Sequence, residues 1–249
     1  MTVVVSGFAS VAATAVLALA ALAGGPMLAA AIALLVVGMA VGWSQLGGMP
    51  DAPGTTFAVV LTGLLGAVIA LVSADRQRPL LPFAALIAFA VLLAFAHELR
   101  RTDGRPRLVE SVTGTLAGQL VAILAAGWLL LRQTPLGING VVVAAAAVAA
   151  TRLVAVVCER IEALTLITVG LIAFGFGLAA AIAASAVLAP SLLLASLMMG
   201  AVVAAVVAAA DLLIAFEARA GSTMALITVA LLPIAAAGTT AYAAAVLMP

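Results

Sequence analysis

The sequence predicts an all-α fold, a single integral membrane domain of about nine transmembrane helices, and two observations carry that expectation. Apolar runs of about 20 residues recur along the whole chain, the length an α-helix needs to cross a hydrocarbon core of roughly 30 Å. The composition is 67% hydrophobic and 8% charged, whereas soluble domains carry roughly a quarter charged residues. A water-soluble fold of this make-up, with a mean hydropathy of +1.41, could not cover its own surface.

The breakers between the runs give the spans in order. Span 1 covers Val3–Ala23 and ends at Gly24-Gly25-Pro26; it lacks a basic leader segment and is expected to be a retained helix, not a cleaved signal. Span 2 is Met27–Trp43, followed by the Gly- and Pro-rich link Ser44–Gly54. Span 3 is Thr55–Ser73 and span 4 is Leu80–Ala96, separated by the turn Asp75-Arg76-Gln77-Arg78-Pro79. The segment His97–Leu108 reads as the most charged loop. Span 5 is Val109–Leu131; span 6, Ile138–Val157, follows Pro135 and Gly137. Span 7 is Ala163–Leu188, stopped by Pro190; span 8 is Ser191–Ile214 and span 9 is Thr223–Leu247. The boundary between spans 6 and 7 rests on charge alone, because Cys158-Glu159-Arg160-Ile161-Glu162 contains neither Gly nor Pro.

Arginine sets the expected orientation. With nine spans and an internal N-terminus, Arg100, Arg101, Arg105, Arg107, Arg160 and Arg219 fall on the cytoplasmic side, against Arg76, Arg78 and Arg132 opposite. The positive-inside rule then places the N-terminus in the cytoplasm and the C-terminus outside, in a bacterial inner membrane. Every acid but Asp75 also falls on the cytoplasmic side, which reads either as a polar vestibule or as the result of short outer turns.

Composition excludes several chemistries. The net charge of +1 gives no field for nucleic acid. All ten basic residues are arginine, which suggests a high-GC genome and removes lysine Schiff-base chemistry. The lone Cys158 and lone His97 predict no metal or haem centre, and no cofactor is expected. The Ser-Pro-Lys-Lys-Thr-x-Glu-Gly stretch of membrane cytidylyltransferases is absent; Arg105-Pro106-Arg107-Leu108-Val109-Glu110-Ser111 lacks its lysines and spacing. Walker and rhomboid patterns are absent as well.

Polar residues inside spans are the candidate site. In span 5, Ser111, Thr115 and Gln119 recur every four residues beside a second ridge of Glu110, Gly114 and Gly118. The two ridges share one helical face, suited to close helix packing or to lining a solute path. Arg152 lies inside span 6, where an arginine near the bilayer centre costs about 3 kcal/mol. It is expected to pair with a carboxylate or to face water, with Glu159 the first candidate by spacing and Glu110 or Asp211 the alternatives. Asp211 and Glu217 close span 8, and Pro233 is expected to loosen span 9 near Val229. Arg100, Arg101, Arg105 and Arg107 form a cluster suited to phosphate or lipid headgroups, since guanidinium offers bidentate donors.

Three classes fit these features. The first is transport of a small or lipid-like solute along Gln119, Arg152, Glu110, Glu159 and Asp211. The second is a non-catalytic subunit or scaffold packed against other membrane subunits. The third is an enzyme on a phospholipid, with the arginines on phosphate and Glu110 or Glu159 as base. Scarce polar groups and the absence of a nucleophile or metal constellation favour the first two, and transport is the reading adopted. Membrane lipids are the expected partners in every case.

Overall fold

A computed structural model describes residues 2–73, 80–158, 160–161, 163–188, 190–217 and 222–247, with backbone alone for 2–5 and 213–217. Every regular element among them is helical. The helices are α1 (Thr2–Ala23), α2 (Gly25–Leu46), α3 (Ala52–Val72), α4 (Leu81–Arg100), α5 (Leu108–Leu124), α6 (Gly127–Arg132), α7 (Gly137–Cys158), α8 (Leu166–Leu188), α9 (Leu193–Glu217) and α10 (Thr223–Leu247). A single 3₁₀ turn, Pro190–Leu192, leads into α9. Nine segments among the described residues are long and apolar enough to span a bilayer, α5 and α6 together forming one of them. The chain is a multi-pass membrane protein.

Local chemistry explains the ends. Gly24 takes φ 134°, a backbone that side chains rarely adopt, and it separates α1 from α2 with only one residue. Pro26 then occupies the first turn of α2, where its missing N–H is not needed. Asp51 caps α3 by accepting the Gly54 amide at 3.3 Å.

Three boundaries differ from the sequence expectation. The 44–54 link shrinks to residues 47–51, because α2 runs to Leu46 and α3 starts at Ala52. The charged loop begins later, because α4 continues through His97, Glu98, Leu99 and Arg100 and buries Glu98 on its inner face. Span 5 is broken: the Thr239 hydroxyl donates to the Leu124 carbonyl at 2.7 Å, and the Trp128 amide turns to Ala125 at 3.3 Å. Gly127 permits that crossing, since a Cβ there would lie 2.2 Å from the Thr239 nitrogen. Spans 6 and 7 are separate helices; the Ile161 amide donates to Cys158 at 3.0 Å and the Leu164 amide to Ile161 at 3.0 Å, closing turns between α7 and α8.

α10 is the hub. It packs against α1, α2, α5, α6, α7 and α9, whereas α4 packs on α3 and α5, and α8 on α7 and α9. Small residues at its contacts let neighbours come close: a Cβ on Gly42 of α2 would meet the Met224 carbonyl of α10 at 1.8 Å. Outer faces carry Leu34, Phe57, Leu92 and Leu171 exposed, as lipid-facing helices require. Around α10, α2–α5 form one group and α1 with α7–α9 another, and the two also meet directly where α1 packs on α2.

Candidate functional site

On the α2–α5 side a polar track enters from the charged end. Glu98 of α4 is 2% exposed. It pairs with Arg101 at 2.7 Å and accepts a hydrogen bond from the Ser111 hydroxyl. His97 sits beside it, seated on Gly54, where a Cβ would lie 2.0 Å from its Cε1. Its buried Nε2 has no hydrogen-bond partner among the described residues, with Asp51 and Glu98 carboxylates at 3.7 and 3.9 Å. One turn inward, Thr115 shares a hydrogen bond with Thr55 of α3 at 3.2 Å. One turn further lies Gln119, fully buried, with neither amide atom meeting a partner among the described residues. Gln119 is eleven residues into the span from Leu108, about 16 Å by helical rise and near mid-membrane.

The second ridge of α5 has a different use. The Trp43 indole donates to the Gly114 carbonyl at 2.9 Å. Cβ atoms on Gly114 and Gly118 would lie 2.0 Å from Met49 Cε and 2.5 Å from Trp43 Nε1. The glycines seat two side chains, from α2 and its following loop. Glu110 stands exposed and ion-paired with Arg107, away from the track.

In the α1, α7–α9 group, Arg152 is 5% exposed and pairs with Asp211 of α9. Its Nε donates to Ser10 of α1 at 3.1 Å, and the Ser10 hydroxyl donates to the Ala230 carbonyl of α10 at 2.6 Å. That carbonyl lies one turn before Pro233, inside α10. Arg152 thus ties four helices together. It and Gln119 lie on helices that both pack on α10 and not on each other. Glu159, the first partner expected for Arg152, lies outside the described residues, as do Glu162, Asp75, Arg76, Arg78, Arg219 and the side chain of Glu217.

The arginine cluster divides by role. Arg101 turns inward, held by Glu98 and by Asp103 at 2.7 Å. The Arg101 hydrogen bond holds the Asp103 carboxyl below the ordinary carboxylate range against the opposing effect of burial. Arg107 pairs with Glu110 and donates to the Gly48 carbonyl at 3.0 Å. Arg100 and Arg105 are exposed. A groove of about 330 Å³ opens between α4 and α5 beneath Arg105, lined mainly by Phe95, Leu99, Leu108, Val109 and Val112.

Sequence reasoning did not single out Ser10, Thr55 or Trp43. A signal for Ser10 was present: Ser6, Ser10 and Thr14 repeat every four residues on α1 and are all buried, the same pattern that marked span 5. Nothing local marks Thr55 as the partner of Thr115. No group of three or more metal-ligating side chains assembles among the described residues.

The fold and these two buried polar centres define a helical multi-pass membrane protein. No protein-family model matches the chain, and no curated protein and no solved structure matches it either.

Proposed function

We propose that this protein transports a small polar solute across the membrane through the α2–α5 side of the bundle. One observation carries the reading: Gln119 is a fully buried amide near mid-membrane with no protein partner among the described residues. Each buried polar group left unsatisfied costs about 1–3 kcal/mol, and in hydrocarbon no bulk water relieves it. A residue kept for helix packing alone would be paired or apolar. An amide that offers both donor and acceptor to a passing solute or water accounts for a buried glutamine without a protein partner among the described residues. Ser111 and Thr115 extend the polar face from Gln119 to Glu98, His97 and Asp51 at the charged end. That end is taken as cytoplasmic, following the arginine asymmetry.

Cysteine accessibility tests this directly. In a Cys158→Ser background, Thr115→Cys and Gln119→Cys are treated with a membrane-impermeant thiol reagent, with lipid-facing Leu120→Cys as control. Labelling of the first two and not the third is expected. Protection of both in folded protein removes the transport path. Stable co-purification of another membrane protein alongside such protection favours the subunit reading instead.

A further inference from the structure

The groove between the end of α4 and the start of α5 lies at the membrane boundary of the charged end, and three independent features converge on it. Its walls are apolar, and Phe95, Leu99 and Val109 are also exposed toward the outside of the bundle. At about 330 Å³ it lies within the range of ligand-sized cavities. The Glu98 carboxylate at its inner edge is matched by Arg101. Arg101 also pairs with Asp103, so these two carboxylates share one guanidinium.

The rim is cationic on balance, with Arg100, Arg101, Arg105 and Arg107 set against Glu98, Asp103 and Glu110. Among the described ion pairs, Arg101 and Arg107 meet carboxylates, while Arg100 and Arg105 do not. The Arg105 guanidinium donates to the Leu99 carbonyl at 3.0 Å, which holds it across the mouth. Its backbone is in the left-handed region, φ 53°, as is that of Arg107 at φ 55°. The Asp103 carboxylate fixes this loop by accepting the Arg105 amide at 3.1 Å. Non-glycine residues held in this region mark places where the surroundings over-determine the backbone.

The third feature is the start of α5. Its N-cap is Arg107, which supplies no side-chain acceptor. The positive end of this 17-residue helix therefore lies at Leu108 and Val109, two residues of the groove wall, with no side-chain cap. Such an end favours an anion.

We propose that this groove holds one anionic phospholipid. The phosphate lies against Arg105 with the α5 N-terminus beside it, Arg100 at the exposed end of α4 adds to the positive field, and one acyl chain runs along Phe95, Leu99 and Val112. The apolar walls select a lipid over a free phosphate, and the unmatched cations select an anionic headgroup over a zwitterionic one.

Native mass spectrometry of the full chain, incubated with equal phosphatidylglycerol and phosphatidylcholine, tests the site. The wild type is expected to retain phosphatidylglycerol preferentially. Arg105→Gln with Arg100→Gln should weaken retention about thirtyfold, at roughly one kilocalorie per surface arginine. Thr113→Phe, which fills the groove from an exposed position, should expel the lipid while thermal unfolding stays unchanged. Equal retention of the two lipids, or no effect of the arginine pair, overturns the proposal. So does competition by glycerol phosphate as effective as that by the lipid, which would indicate a headgroup site without a chain.

Discussion

Arg152 on α7 and Asp211 on α9 meet as an ion pair about two helical turns inside the charged end, and Ser10 on α1 accepts the guanidinium Nε–H at 3.1 Å. Both charges are almost fully withdrawn from the surface. Removing one leaves the other uncompensated, so Arg152→Leu should lower stability by about 3 kcal/mol. Arg152→Leu with Asp211→Leu should recover most of that loss, because apolar replacement of a buried pair is close to neutral. Thermal unfolding in detergent measures the cycle. A double variant no more stable than the single would refute the pairing.

The glycines separate into packed and open ones. A Cβ at Gly42 would meet the Met224 carbonyl at 1.8 Å and at Gly127 the Thr239 backbone at 2.2 Å, while at Gly175 nothing lies within 4 Å. Gly42→Ala and Gly127→Ala should each destabilise by about 1–3 kcal/mol through forced separation from α10. Gly175→Ala should stabilise by roughly 0.5–1 kcal/mol, the ordinary gain within a helix. The ranking in a thermal-shift series checks the close approaches around α10.

Gln119 offers the converse experiment. If its amide serves a solute and not the fold, Gln119→Leu removes two buried polar groups and should leave stability unchanged or raise it by about 1 kcal/mol. A loss of several degrees in unfolding temperature would instead show that the amide supports packing, and would weaken the transport reading.

The loop after α4 has a pH signature. The Arg101 hydrogen bond lowers the Asp103 carboxyl below its ordinary value of 3.8. A lowered folded-state value stabilises the loop above pH 3.8. That contribution fades as pH falls through the lower value, when the carboxyl protonates and the Arg101 bond weakens. Side-chain carbon NMR of Asp103 should give a midpoint under 3.8, moving upward in Arg101→Ala. An unshifted midpoint would contradict the contact.

The span count follows from composition and punctuation. An apolar run of about 20 residues has few stable alternatives to a membrane helix, and Gly24-Gly25-Pro26, Pro190 and the charged segments separate the runs. Helical spacing also identified the Ser111, Thr115 and Gln119 face, because four-residue periodicity is a local property of α5. Spacing along one helix could not identify what that face meets. The partner of Arg152 lies 59 residues away on α9, and the hydroxyl of Thr55 meets Thr115 across 60 residues. The break in span 5 comes from Thr239, 115 residues downstream, capturing a carbonyl that the local sequence assigns to its own helix. Residues inside a helix were thus fixed by the sequence near them, since backbone hydrogen bonds there are local. Which polar groups meet was decided by how the apolar spans pack around α10, where small residues rather than sequence neighbours set the contacts.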